Sequence, residues 1–225
     1  MKVEFNSLHW NNVDKDMLAA HKRVMDHFGI PMNYDNRDGH NHGQWMQWVI
    51  NNSSSDVIVF MEPDCIPLNK SYLEYIKYAN RNDTFVGIAQ VSNHILPKSH
   101  IYAAPGFYAI SKKAYDRLGR PSFTETHRSD TAEEICYIAE EKGMKYRALM
   151  PTYFEKPSSE GIWPLSNLGY YGIGTVFDNS IYHLYQSRMA ENIEMFVQRC
   201  DQVTKDNLTL ETIDLTFISA TTFTL

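Results

Sequence analysis

The chain has little cysteine, no long apolar run and no excess of positive charge. Its three cysteines, Cys65, Cys136 and Cys200, are scattered widely through 225 residues. An odd, dispersed set forms neither a disulfide framework nor a cysteine metal site. Free thiols suit a reducing compartment, so a cytoplasmic location is expected. Nowhere do about 18 apolar residues run together, and no membrane span is expected. The opening Met-Lys-Val-Glu-Phe-Asn lacks a long apolar core, so no signal peptide is expected either. Lys and Arg number 21 against 27 Asp and Glu, a net charge of -6. With no basic stripe to meet a phosphate backbone, a nucleic-acid partner is disfavoured. No repeat and no linker forces a second domain.

What is present is globular in composition, with 43% hydrophobic and 21% charged residues. Aromatics are plentiful, including 14 Tyr; exposed ones would suit a carbohydrate surface, although core packing accounts for most. The organising stretch is Ser55 to Leu68. Val57 to Met61 is a continuous apolar run, the pattern of a strand buried on both faces. Glu62 and Asp64 follow it at once. In extended backbone, residues two apart share a side, so the two carboxylates are expected to converge on one cation or phosphate. Pro63 and Pro67 are expected to end the strand. The carboxyl end of such a strand is where open α/β sheets bind ligands.

Upstream, Lys2 to Phe5 reads as a strand. Asp14 caps a helix through Phe28 that Gly29 stops. Ile30 to Tyr34 is a second strand and Gly43 to Asn52 a second helix. This alternation implies right-handed crossovers and a largely parallel sheet. Downstream, a helix is expected over Ser71 to Asn80 and strands over Phe85 to Val91 and Tyr102 to Ile110. Ser111 caps a short helix ending at Leu118-Gly119. Arg128 to Glu134 opens a helix through Lys142, with Asp130 and Glu133 as a capping box. Lys145 to Met150 reads as a strand ending at Pro151. Residues 155 to 180 have no clear periodicity and read as a functional or surface loop. Ile181 to Arg188 holds a short apolar strand bearing His183, and Ala190 to Val203 a helix. The tail from Leu208 to Leu225 reads as extended.

The apolar strand ending in Glu62-Pro63-Asp64 resembles the Asp-x-Asp metal motif of nucleotide-sugar-dependent glycosyltransferases of the GT-A fold, family-2-like, with Glu in place of the first Asp. The order of the remaining motifs, from about residue 2 to 190, resembles that family too. The resemblance implies an α/β fold, a single GT-A-like (Rossmann-like) domain over residues 1–225 with a central, mostly parallel mixed sheet flanked by helices. Residues 1–68 would form the nucleotide-binding half, 69–190 the acceptor half and 191–225 a C-terminal helix and tail. By the same resemblance Asn6 and Asp35 are donor-site candidates, with Arg37 and Arg188 as phosphate partners. Pro105-Gly106 would line the acceptor side. Asp130 is the preferred general base, with Glu133 and Glu134 in reserve. Asp64, Glu62 and His183 would hold Mn²⁺ or Mg²⁺, whose oxygen preference and tolerance of imidazole match these side chains. The partners implied are a UDP- or GDP-sugar donor and a carbohydrate or other hydroxyl acceptor.

Other readings compete. A nucleotidyltransferase would carry a Gly-rich loop after the first strand, where this chain has Asn6-Ser7-Leu8-His9-Trp10. A metal-dependent hydrolase would use Asp38, His40 and His42. A non-catalytic sugar- or nucleotide-binding relative would keep the fold without the activity.

Overall fold

A computed structural model describes residues 1–92, 100–155 and 161–208. The expected extended tail, from 209 onward, and residues 156–160 of the irregular segment lie outside the described residues.

The chain runs β1 (Val3–His9), α1 (Lys15–Phe28), β2 (Met32–Asn36), α2 (His42–Asn52) and β3 (Val57–Met61). It continues through β4 (Cys65–Pro67), α3 (Tyr72–Arg81), β5 (Phe85–Val91), β6 (Ile101–Ser111), α4 (Lys112–Leu118) and α5 (Glu133–Glu141). Then come β7 (Arg147–Leu149), β8 (Pro151–Phe154), β9 (Ile162–Pro164), β10 (Tyr170–Gly172), β11 (Thr175–Phe177), β12 (Ile181–His183) and α6 (Ala190–Thr204). The main sheet has the order β2-β1-β3-β6-β5-β7. β1, β2 and β3 are parallel, β5 and β7 are parallel, and β6 runs against both of its neighbours. This is the mostly parallel mixed α/β sheet expected.

Local chemistry sets the helix ends. The Asp14 side chain accepts from the N–H groups of Asp16 and Met17, and Gly29 closes α1 at φ 67°. The Ile30 N–H is spent on that closure, donating to Met25 O, so β2 starts later than the apolar pattern suggests. Asn41 caps α2 through the Gln44 N–H, and Ser111 caps α4 through the Ala114 N–H.

Every residue of β3 is buried. Aromatic contacts show what covers it. Phe60 meets Trp45 of α2 and Phe123, which stacks on Tyr115 of α4. On the opposite face Phe107 meets Tyr75 of α3, and Phe5 meets Tyr72, which also touches Phe28 of α1. The sheet is therefore sandwiched between helices.

Three expectations need correction. β7 stops at Leu149, short of Pro151 as expected, but extended structure does not stop there: Pro151 opens β8, which enters a second, antiparallel sheet of order β4-β12-β11-β8. A proline at the first position of a strand gives up no ladder bond there. The segment after residue 160, read as irregular, contains the hairpin β9–β10 and strand β11, each of three residues and too short to show a period. The helix expected from Arg128 begins only at Glu133, because Ala132 sits at φ 66° and breaks it. Half of the capping box survives: Glu133 Oε2 accepts the Asp130 N–H at 2.7 Å, but Asp130 Oδ1 takes the Thr131 N–H.

Candidate metal centre and its cavities

Glu62 and Asp64 do not continue β3. The Cys65 N–H donates to Glu62 O at 3.0 Å, closing a turn. The carboxylates are brought together by that turn and not by the two-residue repeat of a strand. β4 follows immediately and pairs with β12, setting Cys65 opposite His183. The Leu184 N–H donates to Asp64 O at 2.9 Å and locks the two segments. One ligand atom each from Glu62, Asp64 and His183 then lie within 4.8 Å of one another, the one such group among the described residues. His183 Nε2 is 3.2 Å from Glu62 Oε2 and 3.4 Å from Asp64 Oδ1.

β6 makes room for this. Its pairing with β5 slips between Gly87 and Ile88, whose partners are Tyr108 and Ala104, so Pro105 to Phe107 bulge out of that ladder. Proline has no N–H for the ladder, so a bulge suits it. Gly106 O accepts the Glu62 N–H at 2.9 Å. A Cβ on Gly106 would lie 3.2 Å from His183 Cδ2 and 2.6 Å from Ile88 Cδ1. The bare backbone is what lets the imidazole lie there.

The two carboxylates draw positive charge to this point. Burial pushes the His183 pKa down, but hydrogen bonds and charge from Asp64 and Glu62 outweigh it and lift it to about 9. Burial likewise pushes Asp64 up, and His183 with Ser187 more than offsets this, holding the carboxyl below its usual range. Asp64 Oδ1 is buried, and its contact with His183 Nε2 at 3.4 Å is long for a hydrogen bond. A buried, weakly bonded carboxylate oxygen converging with a second carboxylate and an imidazole is a donor set that fits a divalent cation. His42 Nδ1 lies 3.3 Å from Glu62 Oε1, so Glu62 stands between two imidazoles.

Glu62 and Asp64 form a wall shared by two cavities. One, of about 290 Å³, holds His183, Asp130, Thr131, Gln90, Tyr102 and Tyr185. The other is lined by Trp10, Asn12, Met17, His42, Ser187 and Arg188. Arg188 also borders an adjoining open cleft of about 720 Å³ with Asp38 and His40.

The remaining candidates are placed as follows. Asp130 is 7% exposed and faces the His183 cavity. Glu133 is buried, with one carboxylate oxygen on the Asp130 N–H and the other on His100 Nδ1, both at 2.7 Å. Glu134 is gripped by Arg128 and by Thr126. Neither Glu133 nor Glu134 borders the cavity that holds Asp130. Asn6 and Asp35 line a different cleft, of about 390 Å³, between β1, β2 and α2. There Asp35 accepts the Trp45 indole N–H at 3.0 Å and pairs with Arg37 at 2.8 Å, and the Arg37 guanidinium lies over the Trp48 ring. The structure thus gathers Glu62, Asp64, His183, Asp130 and Arg188 around one wall and leaves Asn6, Asp35 and Arg37 apart from it. The alternative trio separates too. Asp38 bonds Asn11, the His40 carbonyl accepts from Trp10, and only His42 reaches the acidic pair.

Sequence reasoning missed His42 as a partner of Glu62, although it weighed the surrounding run as a metal site. It also missed Gln90, Tyr102 and Tyr185. Gln90, a polar residue on an otherwise apolar strand, was the one readable signal among these three.

No protein-family model matches the chain, and no curated protein matches it. Solved structures similar to it include A197 from STIV, at 12% identity over 83% of this chain and 95% of that one, TM-score 0.47. A Drosophila β-1,4-galactosyltransferase 7 mutant complexed with manganese, UDP-Gal and xylobiose is 13% identical over 70% of this chain and 68% of that one, TM-score 0.43. CMP:2-keto-3-deoxy-manno-octonic acid synthetase complexed with CTP is 9% identical over 67% and 90%, TM-score 0.42. At these values the likenesses assign neither an activity nor a family to this chain.

Proposed function

We propose that the chain is a metal-dependent glycosyltransferase that moves a sugar from a nucleotide-sugar donor to a hydroxyl acceptor. The observation that carries this is the acidic wall itself. Glu62, Asp64 and His183 converge on one point, with a carboxylate, Asp130, on one side and a guanidinium, Arg188, on the other.

Glycosyl transfer needs charge compensation on a leaving diphosphate and a base for the acceptor hydroxyl. Asp64, Glu62 and His183 would hold Mn²⁺ or Mg²⁺, which when bound neutralises negative charge on the diphosphate. Arg188 supports the phosphates from the Trp10 side, where the donor, a UDP- or GDP-sugar, would lie. Asp130 takes the proton from the acceptor hydroxyl in the cavity lined by Tyr102 and Tyr185. Glu133 and Glu134 serve Asp130 by fixing the loop it stands on. Asn6 and Asp35 line the neighbouring cleft, with Arg37 paired to Asp35, and would meet the donor from that side.

The test is nucleotide release from a panel of UDP-, GDP-, CMP- and dTDP-sugars, with Mn²⁺, Mg²⁺ or EDTA. Release from one nucleotide class, abolished by EDTA and by Asp64→Asn, is expected. Asp130→Asn should stop turnover while leaving metal-dependent donor binding intact. No release from any donor with metal present would reject the assignment.

A further inference from the structure

His100 stands immediately before β6, outside the cavity wall, and is joined to the Asp130 loop through one buried carboxylate. We propose that His100 is a positioning residue that sets the Asp130 carboxylate by fixing Glu133. The proposal rests on Asp130 acting as the base. Glu133 is 1% exposed. Its Oε2 accepts the Asp130 N–H and its Oε1 accepts from His100 Nδ1, each at 2.7 Å. His100 Nε2 lies 3.1 Å from Glu140 Oε1, which also takes the Tyr146 hydroxyl at 2.7 Å. The imidazole stacks on Tyr137 with ring centroids 3.9 Å apart.

This linkage matters because of where Asp130 sits. It precedes α5 by three residues, and Ala132 between them is at φ 66°. Backbone bonds from the Glu133 N–H to Asp130 O and from the Ala132 N–H to Phe123 O hold the path of the loop, and the Glu133 carboxylate is the side-chain grip on the Asp130 N–H. Remove the His100 donor, and a buried carboxylate oxygen is left unpaired. An unpaired buried acceptor is unfavourable enough to make the group turn or take up a proton. Either response loosens the grip on Asp130.

Both ring nitrogens face carboxylates, which calls for the doubly protonated ring. Burial opposes that charge, but the bonds to Glu133 and Glu140 outweigh burial and raise the His100 pKa above 6.5. The groups that face the ring are Glu133, Glu140 and Tyr137 of α5, Tyr102 of β6 and, through Glu140, Tyr146. Arg128 lies over the Tyr137 ring but is committed to Glu134 and Glu141. With the folded pKa raised, the imidazolium's contribution is full below pH 6.5 and is lost as pH rises through the folded value.

Two isosteric changes separate positioning from mere structure. His100→Asn puts an amide N–H near the Nδ1 position and keeps the bond to Glu133. His100→Gln puts one near Nε2 and keeps only the bond to Glu140. In ¹H–¹⁵N spectra of the full chain, the Asp130 amide is expected to follow the His100 ring titration in the parent. It should hold its shift in His100→Asn and move in His100→Gln. Turnover of the donor found in the release panel should fall about ten- to a hundredfold in His100→Gln at unchanged KM for donor, and stay near parental in His100→Asn. An Asp130 amide unmoved in His100→Gln, or equal loss in both variants, would overturn the proposal. Asp130→Asn is the control. If it turns over normally, the base assignment fails, while the amide shift still decides the link from His100 to Asp130.

Discussion

Gly106 offers a perturbation whose size can be worked from the geometry. Its φ is not in the left-handed region, so the backbone itself accepts alanine there. The added Cβ would lie 2.6 Å from Ile88 Cδ1 and 3.2 and 3.3 Å from His183 Cδ2 and Nε2. Ordinary carbon contacts lie at roughly 3.5–4.0 Å. Ile88 is fully buried and has little room to turn. Overpacking of this kind costs about 1–3 kcal/mol, and relief must come partly from the imidazole, whose Nε2 faces Glu62 and Asp64. Gly106→Ala should therefore lower stability in urea denaturation by about 2 kcal/mol. It should also weaken Mn²⁺ binding about tenfold in calorimetry, the size typical of a disturbed ligand orientation. Gly87→Ala is the matched control. Its Cβ would be equally crowded, 2.8 Å from Ala104 O and 2.9 Å from Tyr108 Cδ2, but neither atom belongs to the metal centre. It should lose stability and keep Mn²⁺ affinity. Unchanged Mn²⁺ affinity in Gly106→Ala, or equal loss in both variants, would refute the reasoning.

Two other predictions follow from groups outside the wall. His21 is buried against Tyr34, and burial depresses its pKa to about 4. The unfolded chain then binds a proton that the folded one refuses, so stability should fall as pH drops from 6.5 toward 4, by up to roughly 1.4 kcal/mol per pH unit; His21→Leu should flatten that slope in denaturation at stepped pH. Asp35→Asn keeps an acceptor for Trp45 but weakens the Arg37 pair; it should cost about 1 kcal/mol or less and leave Mn²⁺ affinity unchanged, whereas a loss of donor affinity in the same variant would draw the Asp35 cleft into the donor site.

The sequence marks the buried strand and its acidic end plainly, because Val57 to Met61 has no polar residue and the carboxylates come at the break. The helix ends at Asp14, Gly29, Ser111 and Gly119 are equally legible, since each is a local hydrogen-bond event. The way Glu62 and Asp64 meet was not. Their convergence depends on the Cys65-to-Glu62 turn bond and on β4 pairing with β12, a contact between residues far apart in sequence. The start of α5 is hidden from the sequence for a similar reason. Alanine is a strong helix former, and nothing local announces that Ala132 adopts a left-handed conformation. The crossing of Pro151 into a second sheet, the bulge at Gly106 and the reach of His42 to Glu62 are likewise set by tertiary packing.

The most direct test of the central claim is the melting temperature of the full chain with UDP-, GDP-, CMP- and dTDP-sugars, each with Mn²⁺, Mg²⁺ or EDTA, beside Asp64→Ala. A ligand bound only by the folded state raises apparent stability by mass action, about 2.7 kcal/mol at a hundred times its Kd. A rise with one nucleotide class that needs the metal and is absent in Asp64→Ala is the predicted result. The same melting temperature with and without metal and donor, at millimolar ligand, would contradict it.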